Sequence, residues 1–224
     1  MKKISILILS VILMMGVSGC MNNSDIKKTS SNELVDYMNE KYDDEFSFKA
    51  PFGGGAGASS KQIIVSSKKY PEYDIWVEYS YDDDSYNDNY TDYRFIDEYE
   101  KVLSKDISNL LNCETKVKRE IATSGSYTEF ANDITFDEYM NTEKQFSDFT
   151  AVIMISDSVD KKIIEDKLSL VFNKYASGFY GNIYFVDNNE DLDGFFELDI
   201  TGMDEHRSVF VKKTSEEATS YEWR

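Results

Sequence analysis

Two hydrophobic periodicities alternate along this chain, and their combination limits the fold more than any other feature. Helical spacing is clearest over residues 91–112, where the apolar positions are Ile96, Tyr99, Leu103, Ile107 and Leu110. Alternation with a period of two is clearest over 73–81, where Ile75, Val77 and Tyr79 share one face of a predicted strand. Because both patterns recur, the sequence predicts an α+β fold with mixed, largely antiparallel sheets and three main helices.

Capping signals predict where the other helices begin and end. Residues 30–33 and 135–138 both have the spacing of a capping box, so we expect a long helix after the first and a short one after the second. A last helix is expected to begin at Asp157 or Ser158 and to end at Gly178. Its core positions would be Ile164, Leu168, Val171 and Tyr175.

The predicted strands lie between these helices. Phe46, Phe48 and Ala50 are expected on one face of the first strand, before a flexible glycine-rich loop over 52–58. The apolar run 149–155 predicts a central strand that is covered on both faces. The closing strands are expected at 182–186, 195–200 and 208–212.

The N-terminus carries a targeting signal. Lys2 and Lys3 precede a fourteen-residue, almost wholly apolar run, Ile4–Val17, which is short for a membrane span of about 20 residues. The motif that follows, Val17-Ser18-Gly19-Cys20, resembles the lipobox of bacterial lipoproteins, and the composition is similar to that of Gram-positive organisms. The resemblance implies that Cys20 carries lipid (diacylglycerol and palmitate-type chains) and becomes the mature N-terminus. It also implies a protein anchored at the outer face of the cytoplasmic membrane.

The signal sets the expected domain organisation. Residues 1–19 would be removed, 20–30 would form the lipidated N-terminus and a polar tether, and 31–224 would form a single α+β domain. A weak echo between the two ends leaves open a duplication into halves, 31–122 and 123–224. The first part of the domain resembles small uncharacterised Gram-positive lipoproteins, a group that implies no activity.

Charge and cysteine content exclude several classes of function. The formal charge is −18, and it becomes −20 without the first nineteen residues, which contain two Lys and no acid. Such a chain is poorly suited to nucleic acid, because binding phosphates requires Lys and Arg, and to anionic lipid headgroups. With Cys20 lipidated, Cys113 has no partner for a disulfide and is expected to be a small buried residue.

No catalytic signature is present in the sequence. The single histidine, His206, lies between two charged residues and is expected at the surface. Ser158 and Lys161 have the spacing of a serine acyl-enzyme motif, but its companion motifs are missing. Paired carboxylates are abundant and therefore undiagnostic. The chain is accordingly interpreted as a non-enzyme, with a wall-directed hydrolase as the weakest alternative.

A cluster of oxygen donors suggests a calcium loop. Asn189, Asp191 and Asp193 alternate, Gly194 follows, and Glu197 has the ninth position of an EF-hand-type loop. The twelfth position is Ile200 rather than Glu, and the predicted flanks are strands. Weak calcium binding at Asn189, Asp191, Asp193 and Glu197 is therefore one hypothesis, and an Asp-Gly hairpin turn with solvated acids is the other.

A second acidic segment spans Tyr70–Tyr93, with eight acids, seven Tyr and no Lys or Arg until Arg94. It is either an acidic-aromatic binding surface or a strand followed by a solvated loop. Together these features favour a lipid-anchored, non-enzymatic module that binds a surface protein or wall component. The alternatives are a solute-binding lipoprotein, a calcium-organised surface domain and the hydrolase.

Overall fold

The structure confirms the predicted α+β class. The computed structural model describes residues 29–55, 57–121, 129–142, 149–155, 160–176, 178–186, 207–213 and 219–224, and of 149–155 and 207 it describes the backbone only. Within these ranges the chain forms five helices and two sheets. In the described part, no helix is both long and apolar enough to cross a membrane.

The first sheet has four antiparallel strands in the order of the sequence. Its strands are β1 (Phe46–Gly53), β2 (Ser60–Ser67), β3 (Ile75–Ser80) and β4 (Ser85–Asp88). Helix α1 (Ser31–Lys41) packs on one face, where Leu34 and Met38 are fully buried. The predicted capping box is present: Ser30 Oγ accepts from the Glu33 amide at 3.2 Å, and Glu33 Oε2 accepts from the Ser30 amide at 2.6 Å.

The second sheet has five strands in the order β5-β6-β7-β8-β9. Its strands are β5 (Thr115–Glu120), β6 (Phe149–Ile155), β7 (Phe179–Val186), β8 (Arg207–Lys213) and β9 (Ser220–Trp223). Only β6 and β7 pair in parallel, and the other neighbours are antiparallel. The sheet is therefore mixed and largely antiparallel, as expected.

Three helices cover one face of this sheet. They are α3 (Ile96–Leu111), α4 (Phe136–Asn141) and α5 (Lys161–Phe172). The predicted stripes face the core: Leu103 and Ile107 of α3 and Leu168 of α5 are buried against Val117, Ile183 and Val209 of the sheet.

Local geometry corrects several predicted boundaries. Helix 91–112 is divided at Phe95 (φ −107°, ψ 6°) into α2 (Tyr90–Arg94) and α3, and α2 is buried on nearly every side whereas α3 is buried along one stripe. The N-cap of the last helix is Asp160 and not Asp157 or Ser158. Its C-cap is Asn173 and not Gly178. Strands β4 and β9 were not expected, and the predicted strand 195–200 lies outside the described residues.

The expected common face of the first strand is wrong. A register shift between Phe48 and Ala50 adds a bulge, so Ala50 packs with Ile64 and Trp76 on the face away from α1. Phe48 is left 47% exposed at the sheet edge. The division between the two sheets does not coincide with residue 122, the boundary between the possible halves. Strand β5 comes from the first half and pairs with β6 from the second, so the second sheet contains strands from both halves.

Candidate functional site

Most of the predicted site residues lie outside the described part of the chain. This holds for Cys20 and for the hypothetical calcium ligands Asn189, Asp191, Asp193 and Glu197, as well as for His206. Lipidation and calcium binding therefore stay predictions. Among the described residues, no group of three or more His, Cys, Asp or Glu side chains is arranged to hold a metal ion.

Cys113 is half-buried at the end of α3. It packs against the core of the second sheet, and its Sγ lies 3.6 Å from Thr115 Oγ1. Burial raises the pKa of the thiol, more than the Thr115 hydroxyl and Lys167 lower it. A thiol with a raised pKa is a poor nucleophile, which fits a packing role.

The acidic-aromatic segment is mainly structural. Tyr79, Tyr90 and Tyr93 are buried in the core of the first sheet. The part expected to be a solvated loop instead forms β4 and α2, and Asp84 adopts a left-handed conformation (φ 55°) in the tight turn before β4. The predicted strand around Trp76 is confirmed as β3, but the predicted solvated loop is wrong, because Tyr90 and Tyr93 of that part are buried.

Two buried carboxylates lie at the junction between the sheets, and the first is Asp88. It accepts hydrogen bonds from the hydroxyls of Tyr42 at 2.9 Å and Tyr37 at 3.3 Å, and from Lys41 Nζ at 3.0 Å. Burial, followed by the charge of Asp88, raises the pKa of both tyrosines far above the usual range. These hydroxyls therefore remain donors and do not serve as bases.

The second carboxylate, Asp92, faces the second sheet. Its Oδ1 lies 3.2 Å from Arg119 Nη2 and 2.5 Å from the Tyr139 hydroxyl, which also accepts from Arg119 Nη1 at 2.6 Å. The Tyr99 ring lies 4.7 Å from the guanidinium carbon. All of these groups are buried, so the cluster joins α2 to the second sheet and is not accessible to a ligand.

An apolar crevice lies between α3, α4, α5 and the start of β7. Tyr99, Leu103, Met140 and Phe172 are on its walls, and its cavity volume of about 10 Å³ is room for about one water molecule. Pockets that bind small molecules usually measure about 300–1,000 Å³. This crevice is small for a solute-binding site.

The best candidate for binding is the face of the second sheet opposite these helices. Alternate residues of β7 point to opposite faces, so Ile183 enters the core while Tyr180 and Asn182 project away from it. The register places Lys212 opposite Tyr180 and Phe210 opposite Asn182. Cross-strand partners share a face, so these four side chains form one patch.

Aromatic rings form the centre of this patch. The rings of Tyr180 and Phe210 meet edge to face, with centroids 5.0 Å apart, and Tyr180 is 41% exposed. The guanidinium carbon of Arg224 lies 5.7 Å from the centroid of the Phe210 ring. Asn182 Nδ2 donates to the Tyr184 hydroxyl at 3.0 Å and its Oδ1 is buried, so this amide supports the rings and is not open to a ligand.

Charged groups surround the rings. Lys212, Glu222 and Arg224 are exposed, and Glu222 is paired in register with Phe210. The patch therefore has two cations and one carboxylate on a chain whose formal charge is −18. We call it the β7–β9 face, and its residues are Tyr180, Asn182, Phe210, Lys212, Glu222 and Arg224.

The sequence contains a signal for this face. Tyr180 follows Phe179, and Phe210 lies between Val209 and Val211, so each strand has large apolar residues on both faces. A strand covered on one side only should alternate apolar with polar residues. The departure from alternation indicates an aromatic outer face, but only the register brings the two strands' rings together.

Comparisons with known proteins identify no family. No protein-family model matches the chain, and no curated protein matches it. One solved structure is similar, the crystal structure of a DUF5037 family protein from Ruminococcus gnavus. It shares 13% sequence identity with this chain at a TM-score of 0.40, and the similarity covers 85% of this chain and 94% of that one.

Proposed function

We propose that this protein is a lipid-anchored, non-enzymatic binding module at the outer face of the cytoplasmic membrane. The anchor is the lipid on Cys20, and the module holds a surface protein or a wall component. The observation that supports binding is the β7–β9 face, where an exposed Tyr180 lies against Phe210. Exposed aromatic residues with polar neighbours are typical of interaction surfaces.

The proposal separates into an anchor and a face, and each has its own test. Replacing Cys20 by Ser should move the full chain from the membrane fraction to the culture medium of a Gram-positive host. A photo-crosslinking amino acid at position 180 should capture a discrete partner in cells, either a protein or material released only by wall digestion.

A matched control is available on the first sheet. Phe48 is exposed to a similar degree, 47% against 41% for Tyr180, but it lies on the edge strand β1. The same crosslinker at position 48 should capture no discrete partner. Equal capture at both positions, or none at position 180, would contradict the binding face.

A further inference from the structure

We propose that this protein pairs with a second copy of itself through the outer face of α5. Among the described residues, the large apolar side chains with the highest exposure are Leu170 at 65% and Ile163 at 52%, and both lie on this helix. They are seven residues apart, so they lie on the same face of the helix, separated by about 10.5 Å along its axis. The pairing goes beyond the proposed function and does not require the β7–β9 face to bind a partner.

The outer face of α5 is complementary to itself when two copies run antiparallel. Asp166 and Lys167 lie three and four residues after Ile163, between the two apolar side chains and on the same side of the helix. A two-fold axis midway between Asp166 and Lys167 brings these opposite charges together across the interface. The same axis places Ile163 of one copy against Leu170 of the other.

A parallel pair of helices lacks this match. It would place Asp166 beside Asp166 and Lys167 beside Lys167, and like charges oppose association. In the antiparallel pair Lys167 is able to bind the carboxylate of the second copy. Its Nζ donates to Leu110 O at 3.0 Å, and an ammonium group has two further donors.

The local charge of α5 favours it as the contact between two acidic chains. Two copies with a formal charge of −18 repel each other. Residues 160–174, which contain α5 and its ends, have four Lys and three acids. This segment therefore does not share the negative charge of the whole chain, and a second copy meets less repulsion there.

The exposed rings of the first sheet are less suited to a second copy. Phe48 and Phe52 lie on the edge strand β1 and are 47% and 45% exposed. The same strand contains Lys49 and Pro51, and a charge or a proline on an edge strand opposes pairing with another chain. Phe48 therefore provides an exposed control position for the pairing through α5.

The size of the contact predicts a weak pair. One helix face on each copy buries little area, so the pair should dissociate in dilute solution. An anchor on Cys20, as proposed, would confine the copies to one membrane surface and raise their effective concentration. Because α5 covers the opposite side of the second sheet, the two β7–β9 faces of a pair would point away from each other.

The test is disulfide formation between full chains in Gram-positive host cells treated with a mild oxidant. All chains carry Cys113→Ser, and two differently tagged chains carry Ile163→Cys and Leu170→Cys. The mixed disulfide should exceed both like-with-like disulfides. Antiparallel pairing sets position 170 opposite position 163 but about 10.5 Å along the axis from position 170 of the other copy, and a disulfide needs Cα atoms about 4.4–6.8 Å apart. Chains with Phe48→Cys should give only background.

Charge reversal tests the register of the pair. Asp166→Lys in both copies sets Lys against Lys167, and Lys167→Asp sets Asp against Asp166. Each single change should reduce the mixed disulfide to the background given by Phe48→Cys. The two changes combined restore opposite charges across the two-fold axis and should restore the yield, and thermal melts would confirm that each variant folds.

Three results would overturn the pairing through α5. They are a mixed disulfide no stronger than the Phe48→Cys background, equal yields of mixed and like-with-like disulfides, and no recovery when the two charge reversals are combined. These results leave the crosslinking test at position 180 unaffected. Absence of capture at position 180 would in turn remove the binding face and leave the pairing standing, so the two proposals fail separately.

Discussion

The buried pair Asp92–Arg119 makes a strong prediction about stability. Its atoms lie 3.2 Å apart, and the side chains are 2% and 0% exposed. Removing one partner of a buried ion pair typically costs about 3–5 kcal/mol, because a buried charge loses its counter-charge. We expect Asp92→Asn to lower the free energy of unfolding by this amount, a large part of the about 5–15 kcal/mol of a typical domain.

The expected loss in the free energy of unfolding can also be expressed as a fall in melting temperature. For a chain of this size, 1 kcal/mol shifts Tm by about 2–4 °C. Asp92→Asn should therefore lower Tm by roughly 6–20 °C. Urea unfolding measures the free energy directly, and the emission of Trp76 and Trp223 follows the first and the second sheet respectively.

A double-mutant cycle separates the pair from its surroundings. Asp92→Asn combined with Arg119→Met should cost less than the sum of the single changes, with a coupling of about 0.5–3 kcal/mol. Lys68 and Glu45 provide an exposed control, since they lie 2.7 Å apart with side chains 68% and 76% exposed. Replacing Lys68 by Met should leave stability nearly unchanged.

The reasoning about this cluster fails on two results. One is a cost of less than about 1 kcal/mol for Asp92→Asn, which would mean that burial does not strengthen the interaction. The other is additivity of the two changes within about 0.5 kcal/mol, which would mean that the charges are energetically independent.

Three smaller predictions concern other parts of the structure. Thr135→Ala should cost about 1 kcal/mol by removing the N-cap of α4, and Thr135→Ser should restore it; equal urea midpoints for the two would contradict the cap. Hydrogen bonds from Lys174 and Tyr175, both 2.7 Å long, outweigh burial and lower the pKa of Asp106 below its ordinary 3.8. This stabilisation is present above about pH 4 and is lost as the pH falls through the folded-state pKa, so urea unfolding of Asp106→Asn from pH 7 to pH 3 should show a shallower loss below pH 4 than the unmodified chain. Because burial raises its pKa, Cys113 should react with iodoacetamide more slowly in the native chain than in urea; equal rates would exclude the half-buried position.

Local signals explain what the sequence predicted well. The capping boxes at Ser30 and Thr135 involve contacts three residues apart, and both are present in the structure. The stripes of α3 and α5 follow from the helical period, and their predicted positions are buried except Leu110 and Tyr175, which are partly buried. Strand β6 was predicted as central, and it pairs on both sides.

The features that the sequence did not predict depend on contacts between residues that are far apart in the sequence. The bulge after Phe48 is set by pairing with β2, not by alternation within β1. Arg119 lies on β5, and its buried partner Asp92 lies 27 residues away in the sequence, so no local pattern links the two. The β7–β9 face combines Tyr180 with Phe210, two residues whose proximity depends on the register of β7 and β8.

The segment from Asp88 to Asp92, which connects the two sheets, affects the direction in which the β7–β9 face points. Asp88 bonds to Lys41 and Tyr42 at the end of α1, while Asp92, four residues later, bonds to Arg119 of the second sheet. Because both contacts are buried, the β7–β9 face should keep a fixed orientation relative to α1, which follows the predicted tether directly.

With Cys20 lipidated as proposed, the predicted tether would set how far the domain reaches from the membrane. The segment from Cys20 to Thr29 can extend by at most about 33–36 Å. Ten residues inserted there should leave the fold and the β7–β9 face unchanged, because the insertion precedes α1. In cells the same insertion should widen the set of partners captured at Tyr180. Capture of the same single partner with and without the insertion would show that the length of the tether does not limit which partner the face meets.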